Sequence, residues 1–242
     1  MLRRTRFEAV WSCGNDKAPG PDGFSFDFLK RFWDLLKDDV RDFVVELFHT
    51  GKLVKWCNAS FITLVPKVDN PNFIDDYRPI SLVGLQYKII AKLLTSRLAK
   101  VIGDVVSQEQ SAFIQRRQIL DGVLMVNEVV SWAKLMKKKM MLFKVDFEKA
   151  WMRGCLQTAT SSVLVNGSPT DEFQLARGLR QGDPLSPFLF ILVMEGLHVC
   201  MEDAVARSLY RGVEVGQPEI ALSHLFYTDD AIFFGEWDKA NI

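Results

Sequence analysis

Apolar residues recur at helical spacing in three stretches of the first half of the chain, over about residues 25–49, 86–106 and 118–137. Apolar positions that return every three or four residues form one stripe on a helix, and such a stripe packs against a core. The first stretch runs up to Gly51, a residue that accepts the left-handed conformation found at many helix ends. The spacing therefore predicts three amphipathic helices in this half.

Shorter patterns in the same half predict one strand and two turns. Residues 60–65 read Ser-Phe-Ile-Thr-Leu-Val, a β-prone run that stops at Pro66, and the polar residues 69–72 that follow predict a turn. Residues 17–23 are rich in Pro and Gly. Because Pro fixes φ and Gly permits positive φ, this segment predicts a rigid turn ahead of the first helix.

The second half of the chain is richer in strands. Residues 162–165 are β-prone and run into Asn166-Gly167, the dipeptide that most favours a two-residue hairpin turn, with residues 172–176 as the returning strand. Residues 140–146 form another apolar run. The mostly apolar segment from Pro184 to about Ala206 predicts a helix that must be buried.

Two adjacent carboxylates, Asp229 and Asp230, lie at a bend between two apolar, β-prone runs. Two like charges about 4 Å apart repel by roughly 4 kcal/mol at an effective dielectric constant near 20, so this bend needs solvent or a divalent cation. A third carboxylate, Asp146, ends the apolar run 140–146. Three carboxylates at neighbouring strand ends favour a two-Mg²⁺ site for phosphoryl transfer. The alternatives are a helix N-cap for Asp146 and a plain polar hairpin tip for the acid pair.

Composition excludes several classes of protein. The 242 residues are 48% hydrophobic, which fits a folded globular chain, and 30 basic residues balance 30 acidic ones, so any nucleic-acid binding must come from local patches. The four cysteines form no C-x-x-C pair, which argues against a zinc site and favours a reducing, intracellular setting. We expect no export signal and no membrane span. His49, His198 and His224 are isolated in the sequence and are expected to pack or cap.

Seven motifs occur in the order seen in reverse transcriptases of LINE-type (non-LTR) retrotransposons, and the chain resembles the plant branch of that family closely. They extend over nearly the whole chain, so coincidence is a poor explanation. The motifs are residues 17–23 (KAPGPDG), 62–67 (ITLVPK), 77–82 (YRPISL), 110–114 (QSAFI), 146–150 (DFEKA), 180–187 (RQGDPLSP) and 226–230 (FYTDD).

The resemblance implies an α+β fold of the right-hand polymerase type. An N-terminal extension and helix-rich fingers are expected over residues 1–139, and an incomplete palm with an antiparallel sheet is expected over residues 140–242. The partners implied are an RNA template, a DNA primer and deoxynucleoside triphosphates, in the nucleus or the cytoplasm. The oligomeric state stays open.

The resemblance also implies the roles of the acids. Asp146, Asp229 and Asp230 match the catalytic carboxylates, and they would hold two Mg²⁺ ions, or Mn²⁺ in their place, together with the carbonyl oxygen of Phe147. One ion would activate the primer 3′-hydroxyl, and the other would hold the triphosphate and neutralise the departing pyrophosphate.

Four further residues are expected to contact the nucleotide by the same resemblance. Lys67 and Arg78 would meet the triphosphate, and Gln181 with Gly182 would form the loop beside the incoming nucleotide. Simpler roles remain open for all four. The two cations can be solvated surface charges, and the loop can be a turn into a helix capped by Asp183.

The chain departs from the family pattern in the palm. Relatives place a helix between residues like 146–150 and the Trp-x-x-x-Cys segment found here at residues 151–155, so an internal deletion near residues 150 and 151 is expected. We expect the shortened connection to displace Asp146 from Asp229. Trp151 is expected to be a core aromatic. The chain ends soon after the acid bend, so the thumb is expected to be absent.

Three functions are therefore considered from the sequence. The first is an active RNA-directed DNA polymerase. The second is a catalytically dead remnant that at most binds RNA through Lys67, Arg78 and a lysine cluster. The third, a two-metal nuclease, is disfavoured because the fingers and nucleotide-loop motifs would then have no use. The lysine cluster consists of Lys134, Lys137, Lys138 and Lys139.

Overall fold

The computed structural model describes residues 8–115, 117–146, 159–175, 179–216, 220–227 and 230–237, without the side chains of Ile119 and Asp146. The chain divides into two compact units, one formed by Met1–Arg97 with Trp151–Ser186 and the other by Leu98–Ala150 with Pro187–Ile242.

The helices are α1 (Phe26–Arg31), α2 (Trp33–Thr50), α3 (Leu85–Leu98), α4 (Ile102–Val105), α5 (Ile119–Met136) and α6 (Ser186–Ala206). The strands are β1 (Ala59–Pro66), β2 (Tyr77–Val83), β3 (Met140–Asp146), β4 (Thr160–Val165), β5 (Ser168–Pro169), β6 (Phe173–Gln174), β7 (Val213–Val215), β8 (Ile220–Leu222), β9 (His224–Tyr227) and β10 (Asp230–Glu236).

In the first unit, a mixed sheet is built around β1. Strand β2 pairs with β1 in antiparallel fashion and β4 pairs with β1 in parallel, while β5 and β6 both pair with β4. The parallel pair is joined by a buried contact in which the Ser161 hydroxyl donates to the Ser60 carbonyl over 3.0 Å. This contact satisfies a polar side chain inside the sheet, where an unpaired hydroxyl would be costly.

Helices α1, α2 and α3 of this unit share one hydrophobic cluster. The cluster includes Phe26 and Leu29 from α1, Val44 from α2, and Ile89 from α3, each at most 3% exposed. The predicted core-facing stripe over residues 25–49 is confirmed only in part, because Leu29 and Val44 are buried in the cluster but Leu35 is 76% exposed. The predicted single helix is divided at Phe32, whose φ of −102° and ψ of 24° lie outside the helical region. Helix α2 ends at Gly51 with a φ of 64°, as predicted.

The Pro- and Gly-rich segment 17–23 packs on the junction between β2 and α3. The Asp22 carboxylate accepts a hydrogen bond from the Leu85 backbone N–H at the start of α3. A Cβ atom added to Gly20 would lie 2.5 Å from the Gly84 nitrogen and would also overlap the Val83 carbonyl. Gly20 thus permits a backbone-to-backbone approach that no other residue allows.

In the second unit, β10 is the central strand of an antiparallel sheet, with β3 on one side and β9 on the other. Helix α5 contributes Val129 to a cluster with Leu225 and Phe234, and helix α6 contributes Met194 to a cluster with Phe226 and other residues. Leu225 and Phe226 are neighbours on β9 and point to opposite faces. The two helices therefore cover opposite faces of this sheet.

Some element boundaries differ from the sequence predictions. The predicted helix over 86–106 is divided into α3 and α4, because its two ends pack in different hydrophobic clusters. Leu85, Ile89 and Leu93 belong to the cluster of the first unit. Ile102 and Val106 belong to a second cluster, with Ile114 and Ile191. The Asn166-Gly167 turn is confirmed, with φ values of 51° and 81°, but it returns first into β5 and only then into β6.

The expected displacement of Asp146 from Asp229 stays a prediction, because Asp229 lies outside the described residues, but the neighbouring Asp230 is paired with the first acidic strand. Strand β3 pairs along its whole length with β10, in a register that sets Asp146 directly opposite Asp230. The strand after the shortened connection, β4, pairs with β1 and not with β3. The length of the connection therefore does not determine the β3–β10 register. The junction at residues 150 and 151, Trp151 included, lies outside the described residues.

Within the described part of the chain, the helices fall short of the length or the apolar character that crossing a bilayer requires. The division into fingers over 1–139 and palm over 140–242 stays a prediction, since it rests on the roles of these regions in the family.

Gly20→Ala is expected to lower the free energy of unfolding by about 3 kcal/mol or more, because the added methyl group meets backbone atoms that cannot rotate away. Gly23→Ala is the matched control: Gly23 has a φ of 70° and nothing within 4 Å of an added Cβ. The control should cost only the left-handed penalty of about 1–2 kcal/mol. Urea denaturation measures both, and equal losses would contradict the close approach at Gly20.

Candidate active site

The β3–β10 pair brings two of the predicted acids to the same end of one sheet. Asp146 is the last residue of β3, Asp230 is the first residue of β10, and their Cα atoms are register partners. Asp229, Phe147 and the side chain of Asp146 lie outside the described residues. Among the described side chains, no group of three or more His, Cys, Asp or Glu residues could hold a metal ion.

Asp230 is paired with a cation from the neighbouring strand. The Lys144 Nζ atom lies 2.7 Å from Asp230 Oδ2, and the Asp230 side chain is only 18% exposed. Lys144 is the register partner of Ile232, so the pair is a diagonal contact across the two strands. A positive charge at this position offsets the cost of burying most of the carboxylate.

A cavity of about 210 Å³ lies beside this ion pair in the second unit. Asp230, Lys144 and Tyr227 supply its polar and aromatic wall, and Val126 and Asn127 of α5 face them. The carboxylate is therefore next to open space and not sealed under the helix. Such a position leaves room for a ligand beside Asp230.

The two predicted cations of the first unit lie at the connection end of the β1–β2 hairpin. Arg78 is the register partner of Val65, and Lys67 follows β1 directly. Both side chains are exposed, and the Lys67 Nζ atom donates to the Asp75 carbonyl over 2.9 Å. Alternation along a strand places Lys67 and Arg78 on the same face, where both can reach an anion in solvent.

The predicted nucleotide loop is fixed on β2 of the same unit. The Ser81 backbone N–H donates to the Gln181 carbonyl over 2.8 Å. Gly182 has a φ of 94°, and a Cβ atom added there would lie 3.3 Å from Ile80 Cγ2. Gly182 therefore supplies a conformation and a clearance that other residues lack. The Gln181 side chain stays exposed.

A buried polar network holds this loop, and no motif or spacing in the sequence indicated its central member, Tyr87. The Tyr87 hydroxyl donates to Asp183 Oδ2 over 2.6 Å, and the Arg180 guanidinium lies over the Tyr87 ring at 4.9 Å. Arg180 also donates to the Asn58 carbonyl. These contacts anchor the residues on both sides of Gln181 and Gly182 to the first unit.

Burial shifts the pKa of both charged members of the network. Desolvation lowers the pKa of Arg180 and raises the pKa of Asp183, while hydrogen bonds from Tyr87 and the Leu185 N–H oppose the shift at Asp183. The bond from the Leu185 N–H to Asp183 Oδ1 is 2.9 Å long and precedes α6. The predicted capping role of Asp183 is not confirmed, because the helix begins at Ser186 and the bonded Leu185 N–H belongs to the turn before it.

The motif at residues 110–114 extends the acidic sheet. Gln110 forms a parallel bridge with Phe226 of β9, and the Phe226 N–H donates to the Glu109 carbonyl over 2.8 Å. The guanidinium of Arg117 holds this segment by donating to four backbone carbonyls, those of Gly103, Val106, Ser107 and Gln110. The motif is therefore structural support for the strand that leads to the acid bend.

His198 and His224 are both buried, so the prediction that they pack is confirmed, and they also contact each other, which their positions in the sequence do not indicate. Nδ1 of His198 lies 2.8 Å from Nε2 of His224, and Nδ1 of His224 lies 2.8 Å from the Ser223 hydroxyl. Both rings are buried, His198 on α6 and His224 as the first residue of β9. Burial and the neighbouring His198 lower the pKa of His224 to about 4, and Glu109 and Glu195 oppose this shift. His224 is therefore neutral at neutral pH.

Tyr87→Phe is expected to lower the free energy of unfolding by about 1–3 kcal/mol, because it leaves the buried Asp183 carboxylate without its hydroxyl donor. Tyr77→Phe is the matched control, since the Tyr77 hydroxyl makes no hydrogen bond with the described residues. Urea denaturation should show a change below about 0.5 kcal/mol for the control. Equal losses in both variants would contradict the network.

Acidification is expected to destabilise the second unit through His224. The pKa of His224 is about 4 in the folded chain and about 6.5 in an unfolded chain. Between these pH values the unfolded state binds a proton at His224 and the native state does not. This contribution to stability is complete above pH 6.5 and is lost as the pH falls towards 4, by up to about 1.4 kcal/mol per pH unit.

Urea denaturation between pH 7.5 and 4.5 measures this slope. His224→Gln should reduce it, and His49→Gln, which removes an exposed histidine from α2, should leave it as in the wild type. A slope that is unchanged in His224→Gln would show that other groups carry the pH dependence.

Comparison with known proteins places these features in a family. The chain is 29% identical over 246 residues to the Transposon TX1 uncharacterized 149 kDa protein of Xenopus laevis, with 92% of this chain and 18% of that protein covered. It is 24% identical over 249 residues to the Retrovirus-related Pol polyprotein from type-1 retrotransposable element R2 of Popillia japonica, with 91% and 33% covered.

A shorter match is 40% identical over 67 residues to an uncharacterized mitochondrial protein of Arabidopsis thaliana, with 28% of this chain and 55% of that protein covered. The chain thus spans between about a fifth and about a half of the length of these relatives. The family model for reverse transcriptase (RNA-dependent DNA polymerase) matches residues 65–240, which include the acid bend, the nucleotide loop and the Arg78 motif. The chain belongs to the reverse transcriptase (RNA-dependent DNA polymerase) family.

Proposed function

We propose that this chain is the RNA-directed DNA polymerase of a non-LTR retrotransposon of the plant branch, and that it extends a primer 3′ end with deoxynucleotides on an RNA template. One observation carries the proposal beyond family membership. The β3–β10 register sets Asp146 opposite Asp230 at one end of a sheet, which is the backbone arrangement that carboxylates sharing divalent cations require.

The donor set fits a hard divalent cation. Asp146, Asp229 and Asp230 offer carboxylate oxygens, the ligands that Mg²⁺ prefers, and Mn²⁺ accepts the same set. Asp230 has the Lys144 ammonium 2.7 Å from its Oδ2 atom, a cation that Mg²⁺ would displace, and open space adjoins the carboxylate. Bound Mg²⁺ would supply Lewis-acid stabilisation of the charge that develops on the transferred phosphoryl group.

The protein's own residues bind and orient the substrates in this proposal. Lys67 and Arg78 bind the triphosphate, Lys67 as a point charge and Arg78 through its fork of donors. Gln181 hydrogen-bonds to the incoming nucleotide, and Gly182 lets the backbone approach it. The anchoring of this loop on Ser81 and Tyr87 supports the assignment, because a pocket must be held in one geometry to select its substrate.

The similar proteins support the proposed class of element. Two of them carry transposon or retrotransposable-element names, and the Arabidopsis match, although short, has the highest identity of the three described above and favours a plant source. An RNA template and a DNA primer follow from this class.

A second function, a catalytically dead remnant with residual RNA binding, is favoured by one specific observation. The alignments with TX1 and with the Drosophila melanogaster R2DM polyprotein extend over 246 and 264 positions, more than the 242 residues of this chain. This chain therefore carries gaps relative to both proteins. The predicted deletion near residues 150 and 151 would account for such gaps, and a lost palm helix would weaken catalysis before it weakened RNA binding.

Primer extension on poly(rA) with an oligo(dT) primer tests the proposal, with dTTP and either Mg²⁺ or a chelator. We expect Mg²⁺-dependent incorporation that Asp229→Asn and Asp146→Asn each lower at least about a hundredfold, since each removes a metal ligand that stabilises the transition state. Asp104→Asn, at an exposed acid of α4, is the control and should retain activity.

Incorporation that survives in Asp229→Asn would show that the activity comes from another protein. Salt-sensitive RNA binding without incorporation would overturn the polymerase proposal in favour of the remnant. The absence of both would contradict both functions.

A further inference from the structure

The lysine cluster, Lys134 and Lys137–Lys139, lies at the end of β3 that is opposite to the acids. Strand β3 begins at Met140, directly after Lys139, and ends at Asp146. Six residue steps in a strand span about 20 Å. The cluster is therefore remote from the acid bend within its own unit, and the acidic site does not account for it.

The fold arranges these lysines around a groove. All four line a groove of about 650 Å³ together with Trp237, which follows β10. Lys137 ends helix α5 in the left-handed conformation, with a φ of 53°. This conformation turns the chain sharply, so consecutive lysines leave the helix axis and surround the groove in place of lying on one solvated helix face.

Trp237 is held at the groove and remains available. Its backbone N–H donates to the Lys139 carbonyl over 3.4 Å, which ties the residue to the lysine turn. The side chain is 59% exposed. The indole face is therefore accessible to a ligand in the groove.

The positive charge of the groove is not neutralised by the described residues. None of the four lysines forms an ion pair there, and Lys138 instead lies over the Trp132 ring at 4.8 Å. Glu236 is the register partner of Met140 but does not line the groove. Four like charges at one turn repel each other, and a polyanion would relieve this repulsion.

We propose that this groove binds single-stranded RNA, with the four lysines on consecutive phosphates and a base stacked on Trp237. A basic groove combined with an exposed aromatic ring is typical of proteins that bind single strands, because every base offers a face for stacking. An acidic peptide would use the charges but not the indole. The site is separate from the acids, so it can exist in an active polymerase and in an inactive remnant alike.

Fluorescence anisotropy with a labelled single-stranded oligouridylate tests the proposal on the full chain at several salt concentrations. For three or four phosphate contacts, the logarithm of the association constant should fall with the logarithm of salt concentration with a slope of about −2 to −3. The double variant Lys137→Glu/Lys139→Glu should weaken binding at least about tenfold and flatten the slope by about 1.4.

A matched charge control separates the groove from net charge. Lys52→Glu/Lys100→Glu changes the charge of the chain by the same amount at two exposed lysines outside the groove, and it should leave the affinity within about twofold of wild type. Lys137→Glu could weaken binding by disturbing the turn at the end of α5. The double variant Lys134→Gln/Lys139→Gln leaves Lys137 in place and should weaken binding through lost charge alone. Thermal melts identify any variant that is unfolded.

Trp237→Ala should weaken binding by about tenfold with little change in the salt slope, because stacking is not ionic. Trp56→Ala removes an equally exposed tryptophan of the first unit, 61% exposed, and should have little effect.

Competition by polyglutamate as strong as by RNA, or equal losses in the groove and control variants, would overturn the proposal. Asp229→Asn should retain wild-type binding, so a failed primer extension does not decide this result.

Discussion

The acidic sheet depends on one electrostatic constraint: carboxylates that share a strand end repel each other unless a cation lies among them. In the described structure Lys144 supplies that cation to Asp230 from the neighbouring strand. The ladder between β3 and β10 fixes the register, and the register fixes which lysine can reach which acid. A slip by one residue would move Lys144 to the other face and leave Asp230 mostly buried without a counterion.

In the first unit, buried polar contacts hold an exposed loop in place. Gln181 and Gly182 stay accessible because their neighbours Arg180 and Asp183 are buried and take the polar contacts with Asn58, Tyr87 and Leu185. Burying two charged groups is expensive, and hydrogen bonds offset this cost only in part, because the buried Arg180 Nε and Nη1 atoms have no hydrogen-bond partner among the described residues. The rigidity of the loop is therefore sensitive to residues that no ligand touches.

Much of the fold could be predicted from local patterns, because periodicity reports which face of an element is buried. The stripe over residues 25–49, the Asn166-Gly167 turn and the run 140–146 each determine their own conformation. The break between α3 and α4 could not be predicted, since apolar residues recur at helical spacing through both halves and only the fold assigns the halves to different clusters.

The contacts of the site were less accessible to sequence reasoning. Tyr87 and Asp183 are 96 positions apart, and His198 and His224 are 26 apart, so no spacing rule relates them. The acids were recognisable because a pair of adjacent carboxylates between apolar strands is unusual in itself. The pairing of Asp146 with Asp230 could be identified only from the register of β3 and β10. The shortened connection after β3 made that register difficult to predict.

Strand β3 has opposite charge at its two ends, with lysines before Met140 and an acid at Asp146. A long polyanion that approaches this unit is attracted by one end and repelled by the other. Such a field orients the incoming molecule during diffusion and before any contact forms, and salt weakens this orientation. The polarity of one strand can thereby determine the direction in which a nucleic acid first meets the protein.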